Sequence, residues 1–159
     1  MSLCASACLR LTNMVRGVFA TLEATPPTLL QLLLRLGIAG VFWTSGQVKI
    51  ADWQSTLYLF REEYRVPLLP ADFAAALATA GELAFPVLLV FGLATRLSAL
   101  GLLGMTATIQ IFVYPGNWME HLMWASILLV LITKGPGKLS LDHVISQLLR
   151  GPGNVRAPD

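Results

Sequence analysis

Residues 71–93, ADFAAALATAGELAFPVLLVFGL, constrain this chain more than any other stretch, because an apolar run of membrane length carries one carboxylate, Glu82, at its middle. Crossing the hydrocarbon core of a bilayer takes about 20 residues of helix. A charge at that depth costs at least about 2.5–3.5 kcal/mol on insertion scales, so it needs a partner or a task.

Composition agrees with a membrane setting. The chain is 55% hydrophobic and only 13% charged, with a mean hydropathy of +0.67, whereas soluble domains carry about 25% charged residues. Too little polar surface is left to cover a soluble helical core. The expected class is therefore an all-α integral membrane protein. A net charge of +2 and the absence of a basic run give no footprint for nucleic acid.

Cys4 and Cys8 fall in the first ten residues, without Cys-x-x-Cys spacing or a second ligand pair, so no metal site is expected. They are read as incidental thiols, with lipidation and redox use as the alternatives. Residues 1–25 hold Arg10, Arg16 and Glu23 without an uninterrupted apolar centre, unlike a signal peptide. Leu9–Leu22 is mildly amphipathic and suits either an interfacial helix or a frayed tail.

Four spans are expected, at about 28–50, 71–93, 97–114 and 118–133, within a domain of residues 28–138. A segment 1–27 precedes it and a polar tail 139–159 follows. Pro26-Pro27 starts the first span. Only 13 uncharged residues separate Arg35 from Lys49. That span works if Arg35 lies inside the protein and Lys49 reaches the interface. Residues 51–70, with Trp53, Tyr58, Phe60 and Tyr64, read as a short helix at the membrane surface. Seven basic residues (Arg10, Arg16, Arg96, Lys134, Lys138, Arg150, Arg156) then fall on one side, against Lys49, Arg61 and Arg65 on the other. The positive-inside rule puts both termini in the cytoplasm.

Two constellations stand out. Measured from the middles of their spans, Arg35 and Glu82 lie at nearly the same depth on antiparallel helices, so an intramembrane ion pair between them is expected. It is either a packing device or the floor of a proton or substrate path. Pro86 withholds the N–H that would bond the Glu82 carbonyl, which favours a site. The second is a candidate pocket near the other face, drawn from Ser45, Lys49, Gln110, Trp118, His121 and Trp124. Gln110–Tyr114 and His121–Trp124 each share a helix face by their spacing. Histidine binds a quinone carbonyl, accepts a proton or ligates metal. For Trp53, Tyr114 and Trp118 an interfacial aromatic belt is the plainer reading, and Ser45-Gly46-x-x-Lys49 is by itself a packing motif. No nucleotide loop, nucleophile elbow or metal-ligand pair names an enzyme class.

Taken together, Arg35-Leu-Gly-x-x-x-Val-Phe-x-x-Ser45-Gly46-x-x-Lys49, Ala80-Gly-Glu82-Leu-x-x-Pro86, Gly92-Leu-x-Thr-Arg96 and Trp118 with His121 resemble the DoxX family of small four-helix membrane proteins. Residues 53–70, Gln110-x-Phe-Val-Tyr114-Pro115 and Gly135-Pro-Gly-x-Leu-Ser140-Leu-Asp142 are similar to a subgroup whose genes lie beside those for modified copper-binding peptides. The resemblance implies a bacterial inner-membrane protein linked to redox metabolism, since related proteins accompany thiosulfate:quinone oxidoreductase. Lacking a cofactor motif and an internal cysteine pair, this chain is expected to be an accessory or quinone-interacting subunit of a redox or metal/oxidative-stress system. The rival readings are a proton-coupled solute transporter subunit and a membrane anchor for soluble partners. Quinone is the one cofactor in view; the expected partners are the lipid bilayer, membrane or cytoplasmic proteins, or further copies of the chain.

Overall fold

A computed structural model describes residues 13–17, 19, 26–64, 66–67 and 69–150. Cys4, Cys8 and most of the expected Leu9–Leu22 helix lie outside the described residues; residues 13–17 within it are helical and exposed. All the regular structure among the described residues is helical. The long helices are α1 (Pro27–Ala51), α3 (Ala71–Phe91), α4 (Thr95–Thr108) and α5 (Trp118–Lys134), with short helices α2 (Trp53–Tyr58) and α6 (Leu141–Arg150) at opposite ends.

Local chemistry sets the ends of these elements. Pro27 opens α1, where its missing N–H is no loss. Asp52 caps α2, accepting from the Ser55 amide at 3.0 Å and the Ser55 hydroxyl at 2.6 Å. These bonds to the ionised carboxylate hold its pKa below the ordinary value. The chain then widens into a π-helical turn, Leu59–Tyr64. A bidentate Arg61–Asp72 pair, both contacts at 2.8 Å, ties that turn to the start of α3. A second π-helical turn, Ile109–Val113, extends α4, and its bond from the Tyr114 amide to the Ile109 carbonyl spans five residues.

Packing runs in a ring: α1 against α3, α3 against α4, α4 against α5, and α5 back on α1. The core between them is Ile38, Ala39, Phe42, Leu89, Ala99, Leu102, Leu128 and Leu131. A smaller cluster of Phe60, Ala74 and Ala75 anchors the first π turn on α3. Close approach depends on glycine at two crossings. A Cβ on Gly46 would lie 2.8 Å from Leu83 Cδ2 and 3.2 Å from Glu82 Cβ, and one on Gly101 would lie 2.7 Å from the Phe85 ring. Small residues at helix crossings are how membrane helices gain packing where lipid supplies no hydrophobic drive.

The outer faces stay apolar and uncovered: Leu30, Leu33 and Val48 of α1, Phe73 of α3, and Leu97 and Leu100 of α4 are all more than half exposed. Soluble monomers rarely expose apolar surface so continuously. Three helical segments, Pro27–Ala51, Ala71–Phe91 and Thr95–Val113, are long and apolar enough to cross a membrane.

The C-terminal segment is more ordered than a polar tail. Asp142 accepts from the Ala94 and Thr95 amides at 2.8 and 2.9 Å, capping α4 across the turn that follows α3. In return the Asp142 amide donates to the Gly92 carbonyl. The segment expected to end the fourth span and begin a polar tail thus supplies the cap that the N-terminus of α4 lacks locally.

Candidate functional site

Glu82 is buried, with 3% of its side chain exposed, and its partner is Lys49. The ammonium donates to Glu82 Oε2 at 2.7 Å, to Oε1 at 2.9 Å and to the Ser45 hydroxyl at 2.9 Å, which uses all three of its protons. The Lys49 carbonyl in turn accepts from the buried Thr56 hydroxyl at 3.0 Å, fixing α2 to the end of α1.

This corrects the expected Arg35–Glu82 pair. The error lies in register: depth was measured from the middle of each span, whereas the close contact at Gly46 sets α1 against α3. With Gly46 beside Glu82 and Leu83, Arg35 falls 11 residues nearer the other end, about 16 Å away at 1.5 Å per residue. There it meets Gly92, whose Cβ, if it had one, would overlap Arg35 Nη1. Arg35 is 1% exposed and its Nη2 donates to the Leu139 carbonyl at 2.7 Å. The Asp142 carboxylate acts on it electrostatically.

The Lys49–Glu82 pair faces a cavity of about 830 Å³ bounded by the π turns, α3, the second half of α4 and the start of α5. Its walls are mostly apolar, including Phe60, Leu77, Phe85, Met105 and Val113. Polar side chains enter the lining from Ser45, Lys49 and Glu82, from Tyr64 and Tyr114, from Glu120 and His121, and from Thr108 and Asn117. Size and lining match a small-molecule pocket, apolar with a few convergent polar groups.

His121 is 4% exposed and held on two sides. Its ring lies 5.2 Å from Trp124, which in turn lies 5.5 Å from Phe42. Its Nδ1 meets Gln110 Oε1 at 2.7 Å, while Gln110 Nε2 donates to the Pro115 carbonyl at 2.8 Å. That second bond fixes the amide orientation, so Oε1 accepts and the proton sits on Nδ1. In that tautomer Nε2 is the lone-pair acceptor of the ring.

Of the expected pocket residues, Ser45, Lys49, His121 and Trp124 line this cavity. Gln110 stands behind His121 as its orienting partner. Trp118 is 57% exposed at the first position of α5 and does not line the cavity. Arg35 is at the other end of the bundle.

Sequence reasoning missed the tyrosine pair. Tyr64 and Tyr114, each at the end of a π turn, bring their hydroxyls to 3.2 Å and their rings to 5.8 Å, nearly perpendicular. Burial first, and the Tyr114 contact second, push the Tyr64 phenol well above its ordinary pKa. Nothing in residue spacing signals a contact across 50 positions. Among the described residues no three His, Cys, Asp or Glu side chains converge as a metal-ligand set.

The family model described as DoxX matches residues 30–115, which include Ser45, Lys49 and Glu82. A protein of Haemophilus influenzae, described as uncharacterized, is 36% identical over 132 residues, covering 74% of this chain and 83% of its own length. No solved structure matches. With three apolar helices of spanning length and more than half its residues matched, the chain is a membrane protein and belongs to the DoxX family.

Proposed function

We propose that this chain is a four-span protein of a bacterial inner membrane, with both termini cytoplasmic, that binds a small amphipathic ligand of quinone type in the cavity beside Lys49, Glu82 and His121. It acts there as an accessory subunit of a redox or metal/oxidative-stress system. The fourth span is α5: its 17 residues lie at the short end of the spanning range, about 17–25, with Trp118 and Lys134 at its two ends. The orientation follows from the basic residues, which favour the end bearing Arg96, Lys134 and Lys138.

The observation that carries the reading is one apolar cavity of ligand size whose lining holds both the Lys49–Glu82 pair and His121, with its free Nε2 acceptor. A quinone carbonyl would take the Lys49 proton now given to the Ser45 hydroxyl, and a reduced quinone has hydroxyl protons for His121 Nε2. The apolar walls suit its ring and the start of its tail. The proposal is binding; electrons come from a partner subunit.

Trp124, in the cavity wall, provides the test. Purified protein in nanodiscs is titrated with a short-chain quinone while tryptophan fluorescence is followed. Saturable quenching that is halved or more by Trp124→Phe, and weakened by His121→Ala, is expected. Quenching that rises linearly, or that ignores both substitutions, overturns the reading.

A second reading is favoured by one observation, that the buried pair opens on the cavity: a proton-coupled solute pathway through Glu82. Proteoliposome flux abolished by Glu82→Gln, with no quinone quenching in the wild type, would favour it.

A further inference from the structure

The end of the bundle opposite the quinone-type cavity carries a second groove, of about 870 Å³, where the start of α1, the start of α4, the end of α5 and the Gly135–Lys138 turn come together. Three cations line it: Arg96, Lys134 and Lys138. All three are exposed, and among the described residues none of their side chains has a carboxylate or hydrogen-bonding partner. The carboxylate nearest to hand, Asp142, is already committed with both oxygens to the Ala94 and Thr95 amides. The Arg96 guanidinium is stacked over Gly135, within 3.5–3.9 Å of where a Cβ would stand, so the α4 cation is brought to the α5 turn. The groove is a net cationic recess, and the first turn of the 25-residue α1 helix adds its positive dipole end.

Its surroundings say what fills it. Helix α6 starts immediately beside the groove, at Leu141, and is pinned there by Asp142. Leu141, Val144, Ile145 and Leu148 follow one-face spacing on it and all remain exposed, Leu148 at 76%. Among the described residues, no protein surface fully covers that stripe. A helix with an uncovered apolar face, held at the ends of membrane-spanning helices, lies in the plane of the membrane–water boundary. The groove beside it is then at the depth of lipid headgroups. Basic pockets between helix ends at that depth select anionic headgroups.

We propose that Arg96, Lys134 and Lys138 form a binding site for the phosphate of an anionic phospholipid, seated with α6 in the leaflet at this end of the bundle. Membrane embedding is all it needs from the functional reading; it stands whether or not the distant cavity binds a quinone. Each cation near such a surface strengthens attraction about fivefold, so three give a preference for anionic over zwitterionic lipid on the order of a hundredfold.

The test compares the full chain in phosphatidylcholine nanodiscs with and without phosphatidylglycerol, and counts retained lipids by native mass spectrometry. Wild type should keep one phosphatidylglycerol under conditions that strip phosphatidylcholine. The triple variant Arg96→Gln/Lys134→Gln/Lys138→Gln should lose it, with an unchanged unfolding temperature in pure phosphatidylcholine. Arg61→Gln, which removes a cation from the opposite end, should leave retention intact. Equal retention of both lipids, or full retention by the triple variant, overturns the proposal. So does displacement of the lipid by millimolar inorganic phosphate, which would mark a soluble anion as the occupant.

Discussion

Helix α1 buries two cations on roughly one face, Arg35 and Lys49, and the bundle treats them in opposite ways. Arg35 is wrapped by the chain itself: the Leu139 carbonyl accepts from it, Gly92 makes room for it, and Asp142 lies near with both oxygens engaged elsewhere. It lines neither cavity. Lys49 meets a side-chain carboxylate, keeps 18% of its surface open, and faces a cavity. Arg35 has one backbone acceptor, its Nε and Nη1 have no hydrogen-bond partner among the described residues, and no cavity lies before it, so its place is in the packing of the fold. A buried charge whose partner fronts a void of ligand size remains available for chemistry.

That contrast breaks most visibly at Lys49. Lys49→Ala strands the Glu82 carboxylate among apolar side chains, and losing one partner of a buried pair costs about 3–5 kcal/mol. Thermal unfolding in detergent should fall accordingly. The double variant Lys49→Met/Glu82→Leu replaces the pair with apolar volume, which is often neutral or stabilising. Its unfolding should return close to wild type while quinone quenching stays lost. A double variant as unstable as the single one would make both ends of the bundle structural and erase the distinction.

At the other end the largest effect is expected from Gly92→Ala. Gly92 ends α3 at φ +66°, and an added methyl would strike Arg35 Nη1 and lie 2.5 Å from Ser140 Cβ. The left-handed conformation costs about 1–2 kcal/mol for a non-glycine residue, and overpacking adds about 1–3 kcal/mol. The Leu139–Asp142 segment should undock, seen as faster proteolysis after Lys138. Ligand quenching in the distant cavity should be unchanged; a parallel loss of quenching would mean that the two ends are coupled.

Much of this division could be read from residue order, and its failure is instructive. An all-helical membrane chain follows from the apolar runs around Arg35, Glu82 and Gln110. The gathering of Ser45, Lys49, His121 and Trp124 follows from threading antiparallel helices, because residues near the same ends must meet. The partner of Glu82 did not follow, because span midpoints carry no register. Register is set where backbones touch, and Gly46 sets it here: a glycine three residues before Lys49, against Leu83, brings the lysine to the carboxylate. The Ser45-Gly46-x-x-Lys49 motif held that signal, since a small residue next to a charge at helical spacing marks a close crossing. The Arg35 site was illegible for another reason. Its acceptor is a backbone carbonyl 104 residues away, which no side-chain pattern announces. The helical character of 141–150 was legible in its apolar spacing but masked by the polar residues around it.

A smaller effect should come from Asp142→Ala, which uncovers the Ala94 and Thr95 amides. Losing such a cap costs about 0.5–2 kcal/mol. Hydrogen exchange should rise at those two amides and at the first turn of α4, with the Lys49 end unaffected. If protection changed throughout α3, the Arg35 knot would be carrying the register that has been ascribed to Gly46.

The smallest expected change tests whether the Tyr64–Tyr114 contact in the cavity lining slows ligand release. Tyr64 and Tyr114 join the two π turns through a hydroxyl contact of 3.2 Å, the sort of neutral hydrogen bond worth about 0.5–1.5 kcal/mol. Tyr64→Phe and Tyr114→Phe should each speed quinone dissociation a few-fold, and the double variant should add little, because both remove the same bond. The pH dependence has a definite sign. Burial raises the Tyr64 pKa, so the folded chain holds the phenol proton more tightly than the unfolded one. The contribution is therefore complete below the ordinary tyrosine value of about 10 and drains away only as pH climbs beyond it. Tyrosinate absorbance should accordingly appear late for Tyr64, and dissociation should not vary through neutral pH on its account. Additive effects in the double variant, or a neutral-pH dependence abolished by Tyr64→Phe, would show that the hydroxyl pair is not what slows ligand release. The contrast between the two ends of the bundle would then rest on Lys49 and Glu82 alone.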